Sequence, residues 1–164
     1  MDVTNGAGIG VALFTQGCPH MCKGCFNPET WSFKGGKAWN SDVEETFFNC
    51  ISKSYITRVS ILGGEPLCSA NVSFVSRLVN KIKNVYPNKK IWLWTGYTIN
   101  ECQNDELKRN VLDCCDTIID GKFVDELKDL KLKFRGSSNQ NIWVKTNNVW
   151  VNTTKGDNKN GKQY

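Results

Sequence analysis

The chain has 164 residues, 40% of them hydrophobic and 11% aromatic, which suits one soluble domain around a single core. Its longest apolar runs, such as Val11 to Phe14 and Ile91 to Trp94, are far too short for a bilayer span. No charged start leads into an apolar signal segment, so the expected location is the cytoplasm, with no membrane contact. The net charge is +5, but the lysines between Lys122 and Lys133 alternate with Asp125, Glu126 and Asp129, the pattern of a solvated mixed face; no nucleic-acid recognition motif is present.

In chain order, residues 1–10 are polar and glycine-rich, and Ile9 to Phe14 reads as a first strand closed by Thr15-Gln16-Gly17. Cys18-Pro19-His20-Met21-Cys22-Lys23-Gly24-Cys25 therefore leaves the carboxyl end of a strand, where parallel α/β folds bind ligands. Trp31 and Phe33 follow and are expected to pack over whatever the cysteines hold. A helix starts at an Asn40 or Ser41 cap, with Val43, Phe47, Cys50 and Ile51 on one face. Ile56 to Leu62 reads as a buried strand running into Gly63-Gly64-Glu65-Pro66. Val72, Val75, Leu78, Val79, Ile82 and Val85 recur at helical spacing, predicting a helix over 71–86. Ile91 to Thr95 is a third strand, Asn100 to Val111 a weaker helix, and Thr117 to Ile119 a fourth strand ending at Asp120-Gly121-Lys122.

Alternating strands and helices predict right-handed crossovers and an α/β fold: a partial (βα) barrel or an open parallel sheet of about four to six strands. The length is well short of a full barrel's roughly 250 residues. Residues 1–151 are expected to form the domain, and 152–164, which hold no apolar residue before Tyr164, a disordered polar tail.

Eight cysteines without a signal peptide favour metal binding or free thiols over disulfides. Cys18, Cys22 and Cys25 have a spacing that suits an iron-sulfur cluster; zinc, with His20 as a cramped fourth ligand, and a redox dithiol are the competing readings. A [4Fe-4S] cubane prefers four ligands, so three thiols leave either a distant fourth or one iron open to a substrate. Cys50, Cys68, Cys102, Cys114 and Cys115 show no ligand spacing, adjacent Cys114 and Cys115 pointing to opposite sides if in a strand, and are expected to be small buried or half-buried thiols. At Gly63-Gly64-Glu65 two glycines allow close approach to the backbone and Glu65 adds an acceptor suited to an ammonium group. An isolated pair of this kind is ordinarily a plain strand-to-helix turn.

Together, the three-cysteine loop followed by Phe26 and the Gly63-Gly64-Glu65 turn resemble the radical S-adenosylmethionine enzymes. Within them, Gly17 to Asn27 with Thr30-Trp31, Gly63 to Leu67, Ile91 to Tyr97, Asp120 to Phe123 and Arg135 to Gln140 resemble the family of anaerobic ribonucleoside-triphosphate reductase activating proteins, over roughly residues 5–150. Relative to that family the lead before Asn5 is short and the polar tail is extra, which bears on docking and stability more than on chemistry.

The resemblance implies that Cys18, Cys22 and Cys25 hold a [4Fe-4S] cluster whose fourth iron chelates S-adenosylmethionine. Gly63, Gly64 and Glu65 would receive its amino group, while Gly24, Cys25 and Phe26 line the adenine side. It also implies reductive cleavage of that cofactor to make a glycyl radical on the large subunit of the reductase, with a flavodoxin as electron donor. A pyruvate formate-lyase type activase and a non-catalytic zinc module are the alternatives. Tyr97 and Asp120 are candidates for the pocket wall or the docking surface for the glycine loop or, equally, for turn and packing roles, and Arg135 to Gln140 for contact with the reductase.

Overall fold

The computed structural model describes residues 1–154. In chain order these form β1 (Gly10–Thr15), α1 (Ser41–Ile51), β2 (Arg58–Gly63), α2 (Val72–Val85), β3 (Lys90–Trp94), α3 (Ile99–Gln103), α4 (Glu106–Cys114), β4 (Thr117–Asp120), β5 (Asn141–Thr146) and β6 (Val149–Asn152). The strands lie side by side in sequence order in one open sheet. The pairings β1–β2, β2–β3 and β3–β4 are parallel, and β4–β5 and β5–β6 are antiparallel. The expected α/β class and strand number hold, but the sheet is mixed rather than parallel. A parallel return needs a crossover of about a dozen residues or more, usually helical. Between β5 and β6 only Asn147 and Asn148 intervene, both at positive φ (51° and 61°), as a type I′ hairpin turn requires.

Sequential order with right-handed crossovers puts every helix on one face of the parallel part. Alternation along the strands follows suit. Val59, Ile61, Ile91, Leu93 and Ile118 join Phe47, Ile51, Val75, Val79, Ile82 and Val111 in the main core under the helices. Trp92, Ile119 and Ile142 point to the opposite face, where Ala7, Trp94, Phe134 and Val144 cover them. Among the described residues that face carries no α-helix and is covered partly by the amino-terminal segment. Arg58, fully buried, pairs with the Asp2 carboxylate at 2.8 Å and donates to the carbonyls of Asp2, Asn5, Ala7 and Gly8.

The predicted helix over 71–86 is present as α2. Helix α1 takes its cap from Asn40, whose side chain accepts from the Val43 amide. Of the four residues expected on its inner face, Phe47 and Ile51 are buried, whereas Val43 and Cys50 border an open groove beside β1 and are exposed. The single helix expected over 100–111 is two. Thr98 and Glu101 form a capping box for α3, and the Asp105 side chain caps α4, so the chain restarts at Asn104-Asp105. Cys114 and Cys115 sit at the end of α4 rather than in a strand. Asn152 ends β6, and Thr153 and Thr154 hydrogen-bond to Ile142, so these three residues of the expected tail are held to the sheet; residues 155–164 of that tail lie outside the described residues. Among the described residues no helix is long and apolar enough to cross a membrane.

Candidate metal centre

The cysteine loop leaves β1 and is closed by two backbone bonds, Gly17 N–H to Thr30 O at 2.8 Å and Cys18 N–H to Trp31 O at 3.0 Å. Inside it, Cys25 N–H reaches Cys22 O at 3.1 Å, with Gly24 turning the chain at φ +71°. Cys18, Cys22 and Cys25 are half-buried and line one cavity of about 140 Å3, together with Gly63, Gly64 and Glu65. The cavity lies at the carboxyl ends of the parallel strands. An adjoining cavity of about 380 Å3 shares Cys25, Asn27, Leu62, Trp94, Phe123 and Gln140 with it and extends past Phe26 to Asn5 and Arg135. The two form one cleft with a sulfur-rich end and an aromatic end.

Backbone amides are directed at the sulfurs. The amides of His20 and Met21 favour a Cys18 thiolate and that of Phe123 a Cys22 thiolate, while Asn27 N–H donates to Cys25 Sγ at 3.4 Å. Burial pushes the Cys18 and Cys22 thiols up despite those amides, so metal uptake must displace protons from them. Among the described residues no three His, Cys, Asp or Glu side chains gather closely enough to hold a single metal ion. A mononuclear zinc site needs its thiolates at about 2.3 Å from one point. A cubane takes each thiolate on a different iron, and three separated thiols lining one cavity fit that donor set. His20 is turned away from a ligand role, its Nε2 lying 3.1 Å from Glu65 Oε2.

The turn after β2 is pressed against this loop. Gly64 N–H donates to Thr15 O and Glu65 N–H to Gly17 O, both at 2.8 Å. A Cβ on Gly64 would lie 2.5 Å from Gly17 O, and one on Gly63, at φ +107°, 2.7 Å from the Thr15 backbone. Both glycines are thus required by contact with the chain that leads into the cysteines. The Asn71 amide strengthens the joint, donating to Gln16 O and Glu65 O at 3.0 Å each. Glu65 is almost wholly buried, and its carboxylate points inward. Oε1 accepts from Leu67 N–H at 2.9 Å and Thr95 Oγ1–H at 2.7 Å, while Oε2 accepts from Gly96 N–H at 2.7 Å.

Phe26 is half exposed and meets Phe123 edge-on at 5.3 Å, with Lys128 Nζ 5.1 Å above its ring. Trp31 and Phe33, expected over the cysteines, do not line their cavity; Phe33 packs on the Gly17 backbone behind the loop. Asp120 is a structural group, accepting from Ile99 N–H and Asn141 Nδ2–H. Tyr97 is likewise outside the cleft, against His20 and Lys108. Arg135 donates to Gln140 O, and Gln140 accepts from Gly136 and Ser137 amides while donating to Gly121 O, so this segment clips the loop after β4 into a cleft wall. Phe123 and Gln140 are among the lining residues that motif spacing did not single out, although both fall within stretches carrying the family resemblance.

Comparison with known proteins agrees with this donor set. A family described as "4Fe-4S single cluster domain" matches residues 4–143. Proteins named anaerobic ribonucleoside-triphosphate reductase-activating protein match over most of their length. The one from Vibrio cholerae is 42% identical over 144 residues, 87% of this chain and 92% of its own. The one from Enterobacteria phage T4 is 40% identical over 149 residues, 91% and 92% of the two chains. This chain belongs to the anaerobic ribonucleoside-triphosphate reductase-activating family. The Escherichia coli K12 member, 39% identical over 142 residues, covers 85% of this chain and 91% of its own. The cofactor of this activating protein is accordingly a [4Fe-4S] cluster, with S-adenosylmethionine as the partner cofactor consistent with the activase class.

Proposed function

We propose that the protein activates an anaerobic ribonucleoside-triphosphate reductase, with Cys18, Cys22 and Cys25 holding the cluster and the adjoining cleft holding S-adenosylmethionine. The observation that carries this reading is the meeting of three thiols and the Gly63-Gly64-Glu65 turn in one cavity at the strand ends. When bound, the cluster and S-adenosylmethionine would supply the one-electron chemistry by which a hydrogen atom is taken from a glycine of the reductase.

The chain's own part is positioning. Gly63 and Gly64 offer backbone to an amino group, with the Glu65 carboxylate directly behind the turn. Gly24, Cys25 and Phe26 form the wall towards the aromatic end, where Phe26 and Phe123 give a face for adenine. Residues that hold the two ends of the cofactor in this way would supply positioning, the part of the barrier that a bound geometry removes. Four parallel strands in sequential order with helices on one face match the first half of a (βα) barrel, and we read the sheet as a partial barrel of the radical S-adenosylmethionine type. A flavodoxin as external electron donor follows from the family resemblance, and a cytoplasmic site of action from the free thiols.

Anaerobic reconstitution with iron and sulfide, followed by an assay for 5′-deoxyadenosine and electron paramagnetic resonance of added reductase, tests this. Brown iron-loaded protein, cleavage product and a glycyl radical doublet are expected, all lost in Cys22→Ala. Stoichiometric zinc with no cleavage product would overturn it.

A further inference from the structure

The three-residue gap between Cys18 and Cys22 contains one side chain that turns inward. Pro19 and Met21 are exposed, while the His20 side chain is only 8% exposed. Its ring lies against Gly96, where an added Cβ would sit 2.4 Å from Cδ2, and meets Tyr97 edge-on at 4.8 Å. Nε2 is 3.1 Å from Glu65 Oε2. Because Glu65 is an acceptor here, with Gly96 N–H already on the same oxygen, Nε2 carries the hydrogen.

Glu65 receives its other donors from Leu67, Thr95 and Gly96, that is, from its own turn and the end of β3. His20 is the donor that comes from the cysteine loop. The loop's other ties are at its two ends, through Gly17, Cys18 and Asn71, and on its far side, where Lys23 reaches Asp125 and Glu126 and Phe26 meets Phe123; His20, alone of these loop side chains, ties it to the Glu65 turn and the end of β3. His20 is thus a mid-loop anchor to the ends of β2 and β3.

We propose that His20 is a positioning residue that acts through Glu65, fixing the Cys18–Cys22 arch against the ends of β2 and β3 and so setting where the cluster stands relative to the ligand end of the cleft. The proposal rests on the functional reading above for what the arch holds, but the anchor itself is a property of the protein without cofactors.

The test compares wild type with His20→Phe, which fills the ring's space without a donor, and His20→Gln, whose Nε2 amide can replace the imidazole hydrogen bond. In the metal-free proteins, amide hydrogen exchange over residues 17–26 is expected to be about tenfold faster in His20→Phe, the effect of losing about 1.4 kcal/mol of local restraint, and close to wild type in His20→Gln. In reconstituted proteins, His20→Phe is expected to retain iron but to show an altered electron paramagnetic resonance spectrum of the reduced cluster on adding S-adenosylmethionine, and about tenfold weaker binding of it, with recovery in His20→Gln. Unchanged exchange in His20→Phe, or equal effects of Phe and Gln, would overturn the anchor. A wild type that binds no iron while the exchange difference persists would overturn the functional reading and leave the anchor standing.

Discussion

Between Gly64 and the Gly17 carbonyl there is no room for a methyl group, so the simplest perturbation of the site is one carbon atom. In Gly64→Ala the new Cβ would fall 2.5 Å from Gly17 O and 2.9 Å from Thr30 O, both backbone atoms that cannot rotate away. The loop must lift off the turn, and overpacking of this kind costs about 1–3 kcal/mol. The expected result is a lower melting temperature together with reduced iron per chain after reconstitution; normal iron content would show that the glycine serves only the turn. At this scale the cysteines were legible, because ligand spacing within eight residues is local information. The inward direction of Glu65 was not. Its partners Thr95, Gly96 and His20 are 30, 31 and 45 positions away, and their approach follows from the pairing of strands rather than from any pattern near Glu65.

Elements with a clean periodicity were legible for the same reason that they are stable. The apolar stripe of α2 reads at 3.6-residue spacing, and Val72, Val75, Leu78, Val79 and Ile82 are all buried, while Val85 at its last position is exposed. Helix α3 was blurred into α4 because Asn104-Asp105 interrupts the backbone without interrupting the apolar positions. The β5–β6 hairpin carries its own signal, alternating residues around Asn147-Asn148, but that signal predicts an antiparallel pair only once a two-residue turn is recognised. Between elements, Asp116 joins the start of β4 to α2 and β3. It accepts from Lys83 Nζ at 2.7 Å, Lys90 Nζ at 2.9 Å and Ile91 N–H at 2.9 Å. Burial works to raise its carboxyl, yet these donors prevail and hold it below the ordinary value of about 3.9. A carboxyl lowered by folding adds stability above its unfolded value and loses it as pH falls through the folded one. Asp116→Asn should therefore cost about 1–2 kcal/mol at pH 7 by urea denaturation, with the gap to wild type closing below about pH 4. A gap independent of pH would mean that shape rather than charge is what Asp116 contributes.

On the scale of the whole molecule the sheet has two different faces, and this is what separates its stability from its chemistry. The helical face holds the main core. The other face holds the cleft, bounded by the loop after β4 and by residues 2–8 folded over β2 and β3. Composition and alternation predicted the first face but not the second, because a polar, glycine-rich segment carries no periodicity, and its attachment depends on one buried arginine. Arg58 supplies donors for the carbonyls of Asp2, Asn5, Ala7 and Gly8 and pairs with the Asp2 carboxylate. Burial works to raise the Asp2 carboxyl, but bonds from Arg58, Thr4 and Asn5 hold it low. Arg58→Met keeps much of the apolar stem but strips those carbonyls of their donor, and breaking a buried pair from one side costs about 3–5 kcal/mol. Urea denaturation should show a loss of that order, and limited proteolysis should cut within residues 1–9 before any other site. The cysteine loop hangs from Thr30, Trp31 and Glu65 rather than from this segment, so iron uptake below the new melting temperature should survive. Loss of iron in Arg58→Met as complete as in Gly64→Ala would show instead that the wall of the cleft and the metal loop form a single cooperative unit.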